Sequence, residues 1–270
     1  MNGVFEPLVG GGHTLQFSGT SLSTGLAVSL QPEARFVNTG VLDMGGGFVR
    51  LQGTATFAQL PTFVNQGQLR GSGTISGVKF VNAGEVIVGS GQALGMFNWG
   101  EHTGRFGGGA GSTMSFSGFG TADHSVAGDV DSLGAVNFGE GNHRVMAGFS
   151  AGSSSLYTDT LTFEGARPRT GRFDLGGGTV ALRTAGGASI NELVINGNFT
   201  RFDVETIAPL DLQRLQLQRG SFNVRAPVNL ASSVDWRAPS ANGPGPVAAN
   251  WRWASTRRGV PCVRSAVHWR

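Results

Sequence analysis

The sequence predicts an all-β chain wound as a parallel β-solenoid, a stack of short strands joined by glycine and asparagine turns. Three observations lead there. A short phrase recurs along the chain, glycine is abundant while proline is scarce, and no stretch of ten residues carries a capped 3.6-residue apolar period. The phrase is Phe36-Val37-Asn38-Thr39-Gly40-Val41-Leu42, which returns as Phe63-Val64-Asn65-Gln66-Gly67-Gln68-Leu69 and again as Phe80-Val81-Asn82-Ala83-Gly84-Glu85-Val86, at intervals of 27 and 17 residues. Glycine makes up 45 of 270 residues against 10 prolines, six of them after position 208, so the glycine belongs to tight turns between short strands. Units this short cannot each bury an apolar face alone; stacked in parallel they can. With about 4.8 Å per coil, about ten coils make a rod of roughly 50 Å.

Taken in order, residues 1–30 read as an N-terminal cap or opening coil, in which Thr14-Leu15-Gln16-Phe17 alternates between Gly10-Gly11-Gly12 and Gly19. Residues 31–236 read as the solenoid repeats. A fourth, degenerate copy of the phrase is expected at Phe97-Asn98-Trp99-Gly100-Glu101, again 17 residues on. Fillers such as Leu69-Arg70-Gly71-Ser72-Gly73-Thr74-Ile75 alternate apolar with small or polar residues, the period of strands. A second repeat occupies the later half: Ile190-Asn191-Glu192-Leu193-Val194-Ile195 leads to Gly197 and Phe199, as Leu212-Gln213-Arg214-Leu215-Gln216-Leu217 leads to Gly220 and Phe222. Leu161 to Gly165 and Phe173 to Val180 are weaker relatives, and Val228-Asn229-Leu230 ends the series.

Residues 237–270 share no pattern with the repeats. They hold six arginines and no acid, a charge of +6 against −3 for residues 1–236, which together give the chain's +3. Starting at Ala238-Pro239-Ser240-Ala241-Asn242-Gly243-Pro244-Gly245-Pro246, this basic segment reads as a disordered tail: a linker, an unrelated extension or an out-of-frame reading. A nucleic-acid contact through it is the minor alternative. The single cysteine, Cys262, lies there too, so no intrachain disulfide is expected. Met1-Asn2-Gly3-Val4-Phe5-Glu6 does not read as a signal peptide, and no apolar run reaches membrane-spanning length.

In the phrase, phenylalanine, asparagine, glycine and leucine share parity, so a straight strand would turn all four to one side. A bend at Asn-x-Gly resolves the conflict: glycine permits positive φ, and asparagine bonds its own backbone. Phe36, Phe63 and Phe80 then stack inward, and Asn38, Asn65 and Asn82 form an amide ladder at the turn. That ladder reads as structural rather than ligand-binding. Trp99, which breaks the fourth copy, reads as core at a coil corner, with ligand binding as the alternative.

Composition and spacing assign no catalytic, cofactor-binding or metal-ligating residue. The histidines His13, His102, His124, His143 and His268 are scattered without metal-binding spacing. Asp129 and Asp131, with Asp123-His124 nearby, put carboxylates on one side of a strand, and read as structural or solvated rather than as a calcium or acid–base site. The enzymatic alternative is a polysaccharide lyase or hydrolase using the groove of a β-helix. A hydrolase would need two carboxylates at a defined separation and a lyase a base and a charge-stabilising arginine; Arg167, Arg169 and Arg172 share one loop, and Arg169 and Asp131 are the residues whose replacement by Ala should abolish turnover.

The Phe-Val-Asn-x-Gly-x-Leu phrase, with Leu69 to Ile75 and Val86-Ile87-Val88-Gly89-Ser90-Gly91, resembles the β-solenoid repeats of bacterial autotransporter passengers and filamentous haemagglutinin-like adhesins over roughly residues 30–230. The resemblance implies a structural or adhesive module without catalysis, exported or at the cell surface as part of a longer chain. The partner so implied is a host or environmental glycan or a surface protein; the resemblance implies no cofactor.

Overall fold

In a computed structural model the chain is an all-β parallel solenoid of about eleven turns. The residues described are 7–20, 25–118, 123–165 and 167–236; the basic segment 237–270 lies outside them. Every strand pairing is parallel, and the ladders run on three faces. Face 1 begins at Thr14–Phe17, Arg35–Asn38 and Thr62–Asn65 and ends at Arg201–Val204 and Ser221–Val224. Face 2 runs from Val41–Asp43 through Gln68–Arg70 and Glu85–Val88 to residues 228–230. Face 3 runs from Leu8–Val9 and Ala27–Leu30 to residues 233–236.

The phrase sits in register. Phe36, Phe63 and Phe80 face each other across coils, as do Asn38, Asn65 and Asn82. The bend expected at Asn-x-Gly is the corner between faces 1 and 2, and past it Leu42, Leu69 and Val86 point into the same core as the phenylalanines. The rings stack at 5.0 and 5.1 Å. At the corner Asn38 Nδ2 donates to Asn65 Oδ1 (2.7 Å) and Asn65 Nδ2 to Asn82 Oδ1 (2.8 Å), while the amide of Gly40 bonds Asn38 Oδ1 (3.1 Å). The asparagines are fully buried, so the ladder satisfies polar groups that would otherwise cost about 1–3 kcal/mol each.

The reason for the glycine differs from the expected one. Gly40, Gly67 and Gly84 do not have positive φ. A Cβ on Gly40, Gly67, Gly84, Gly104 or Gly128 would instead overlap the backbone carbonyl of Gly19, Gly40, Gly67, Gly84 or Gly104 in the coil before. Coil lies on coil here backbone to backbone, with Gln68 N donating to Gly40 O (2.8 Å) and Glu85 N to Gly67 O (2.9 Å). A second glycine column, Gly134, Gly152 and Gly171, lets strands such as Val130–Phe138 and Phe149–Leu156 pass from face 2 to face 3 without a break.

The fourth copy of the phrase is offset from the expected position. Gly100, not Phe97, pairs with Phe80, and Phe97 pairs with Ser76 on face 3, where its ring is half exposed over Gly95. In the later half Ile190 pairs with Leu212 as expected, but Phe222 pairs with Phe202, leaving Phe199 outside the core.

Candidate functional site

Gly100 leaves a gap in the phenylalanine column, and His102 fills it. A Cβ on Gly100 would come within 2.6 Å of His102 Cε1, because the imidazole, starting from the asparagine position, leans into the space above Phe80. The rings lie 5.3 Å apart. His124 and His143 occupy the next two places, with ring centroids 5.4 Å apart at each step and planes within 19° and 12°. Phe36, Phe63, Phe80, His102, His124 and His143 are therefore one interior ring column.

All three imidazoles are buried. His102 Nε2 and His124 Nδ1 share a hydrogen bond at 3.1 Å, His124 Nε2 faces Ser117 O at 3.4 Å, and His143 Nε2 faces Gly139 O at 3.2 Å. Nδ1 of both His102 and His143 is buried without a partner. Burial, then the charge of His124, holds His102 well below the ordinary histidine pKa. Burial also lowers His143, against opposing backbone hydrogen bonds at Gly139 and Glu140 and the charges of Asp123 and Asp159. For His102 and His143 burial thus disfavours the charged form. The three imidazoles stack, and beyond the His102–His124 contact their nitrogens do not meet; among the described residues no cluster of three or more His, Cys, Asp or Glu is placed to hold a metal ion.

The candidates on the surface are dispersed. Asp131 faces Arg105 at 3.5 Å, and Asp129 Oδ1 accepts from the amide of Gly148 at 2.9 Å. Arg167 pairs with Asp211 at the approach to face 2. Arg169 lies exposed on face 2 between Ser150 and Ser189. Arg172, on face 3, grips both oxygens of Asp174 at 2.7 Å and reaches Glu192 at 2.8 Å. The hydrogen bonds to Asp174 are the largest cause of the rise in its pKa, so it stays a cation. Behind this segment Phe149, Phe163, Phe173 and Phe202 line a small apolar gap in the core rather than a polar cleft.

Trp99 is not in the core. It lies beside Lys79 on the outer side of face 1, where Lys79 Nζ sits 4.3 Å from the ring centroid and Phe57 stacks on it at 5.1 Å. Phe57 belongs to the short 3-10 turn Phe57–Gln59 in the excursion over residues 52–61, so these contacts fasten that loop to face 1.

The largest exposed aromatics elsewhere are Tyr157 and Phe199, both at the corner from face 3 to face 1. Sequence reading missed this pair because Phe199 looks like the partner of Phe222. The signal was the corner length, which is longer before Arg201 than before Ser221.

No protein-family model matches the chain, and no curated protein or solved structure matches it. Pairing, register and core establish a β-solenoid repeat protein.

Proposed function

We propose that this chain is a non-catalytic structural or adhesive module of an exported or cell-surface bacterial protein, related in style to autotransporter passengers and filamentous haemagglutinin-like adhesins. The observation that carries the reading is the organisation of the outer surface. Its charges form cross-coil pairs, Arg172 and Arg214 with Glu192, Arg183 and Arg225 with Glu205, and Arg144 with Glu164, which leaves no convergent acid–base set among the described residues. Such a stack is a rigid spacer that presents corner loops at fixed intervals. The partner in this reading is a glycan or a surface protein.

The test pairs retention with turnover. The full chain is passed over immobilised glycans and surface proteins, and the same chain is assayed for new reducing ends or unsaturated products on soluble polysaccharides. Retention without turnover is the expected result. Turnover that disappears in Asp131→Ala or Arg169→Ala would replace this reading with a polysaccharide-active β-helix enzyme.

A further inference from the structure

At the corner from face 3 to face 1, Tyr157, Gly176, Asn196 and Gln218 form one column along the axis. The amides of Gly176, Asn196 and Gln218 bond the carbonyls of Leu156, Leu175 and Ile195 in the preceding coil. Three of these coils turn the corner in three residues, at 157–159, 176–178 and 218–220, and one uses five, at 196–200. The longer corner is pinned at its base. Thr200 Oγ1 donates to Gly197 O (2.9 Å) and the amide of Ser221 bonds Thr200 O (2.8 Å), so Asn198 and Phe199 are pushed outward.

Phe199 is 97% exposed and has φ +62°. The left-handed residue of this corner is Asp159, Gly178, Phe199 and Gly220 in successive coils, with φ of 59°, 71°, 62° and 83°. Glycine and aspartate tolerate that geometry. A phenylalanine there is strained, and so exposed a ring recovers almost no burial energy in return. Residues that break a local rule without a structural gain concentrate at functional sites.

Two coils away, Tyr157 is 61% exposed, and its ring lies over Gly176, where a Cβ would come within 2.9 Å of Cδ1. Between the two rings lie the bare backbone of Gly176 and Gly177 and the amide of Asn196. Beyond them Arg219 Nη1 donates to Asn198 Oδ1 at 3.4 Å. The ring-bearing coils are two rises, about 10 Å, apart along the axis.

We propose that this corner binds a linear polysaccharide lying along the solenoid axis. Apolar C–H faces of its pyranose rings rest on Tyr157 and Phe199, and its hydroxyls meet Asn196, Asn198 and Arg219. A sugar chain alternates an apolar ring face with a polar rim, as this corner alternates rings with amides, and amphipathic aromatic surface beside a few polar groups suits such a ligand. A protein partner needs a broad, contiguous apolar centre, which two rings separated by glycine and asparagine do not supply. The inference deepens the adhesive reading and rests on it.

The test is affinity electrophoresis and calorimetry of the full chain with a mixed-linkage β-glucan, polygalacturonate and dextran. Alongside the native chain run Phe199→Gly, which suits the left-handed position, and Tyr157→Ala. The expected result is retardation by at least one polysaccharide, weakened about tenfold by either substitution, as loss of one stacked ring implies. The melting temperature of Phe199→Gly should not fall. Absence of retardation by all three, or retardation that neither substitution changes, overturns the site. If the chain then still adheres to surface protein without turnover, the site alone has failed; turnover of the glycan defeats the adhesive reading itself.

Discussion

Lowering the pH from about 8 to about 5 drives protons onto histidines in the unfolded chain that the fold keeps neutral. His102 and His143 are held below the free histidine value of 6.5, chiefly by burial. Between the folded and free values the unfolded state binds more protons than the native state. The stabilisation is therefore complete above the free value and is lost as pH falls below it. Each histidine that stays neutral in the fold removes about 1.4 kcal/mol per pH unit in that window. The loss continues in each histidine only until its folded value is reached, and it is drawn from the roughly 5–15 kcal/mol that ordinarily separates folded from unfolded. Unfolded carboxylates titrate lower, near about 4, so the window isolates the imidazoles. The assay is a urea titration followed by circular dichroism across this range, with the double variant His102→Asn, His143→Leu in parallel. It replaces the rings with the asparagine and leucine found in register at Asn82 and Leu161. A native midpoint that stays flat through the window, or a double variant that keeps the full slope, would refute the reasoning.

Further outcomes follow from the same geometry. Gly67→Ala should destabilise the chain by more than about 2 kcal/mol in chemical denaturation, because its Cβ overlaps the carbonyl of Gly40 in the preceding coil. Gly91→Ala, at φ +68° with no atom within 4 Å of the new Cβ, should cost only about 1 kcal/mol; equal losses would contradict the close-approach account. Asn65→Ala removes the acceptor for Asn38 and the donor to Asn82, and should lower stability by about 2–4 kcal/mol, measured by the same titration. Glu192→Ala breaks the pairs with Arg172 and Arg214 and the bond from Gln216, yet should cost no more than about 1 kcal/mol and lose that effect in high salt, since both arginines are well exposed.

The parts of the fold legible in the sequence are those in which side chain and backbone repeat together. Phe36, Phe63 and Phe80 and their asparagines recur at each turn, so register, inward rings and amide ladder could all be read from one phrase. Reading failed where a coil kept the space but changed the residue that fills it. Phe97 matches the phrase by spacing, but the ring position belongs to Gly100 and is filled by His102 from two residues on. The histidine column was hidden for the same reason: 22 and 19 residues are coil lengths here, not the short spacings by which histidine clusters are recognised. Glycine was placed correctly at the corners for a reason that applies elsewhere. Its absent Cβ admits the next coil, and that demand is invisible until coils are stacked. Phe199 misled because Gly-x-Phe recurs at Gly220, whereas two extra residues at the earlier corner carry the aromatic out of the core.

The central claim is that successive coils stack in register along one axis, and an intramolecular distance tests it most directly. Arg35 and Arg201 stand at the start of face 1 strands in one continuous ladder, separated by eight coil rises: 35 to 62, 79, 99, 123, 142, 160, 179 and 201. At about 4.8 Å per rise their backbones lie about 38 Å apart. Spin labels at Arg35→Cys and Arg201→Cys, in a chain carrying Cys262→Ser, report that separation by pulsed electron resonance. A single narrow distribution centred near that distance, within the reach of the label arms, is the predicted result. A broad distribution, or a maximum shorter by several coil rises, would contradict the stacked solenoid.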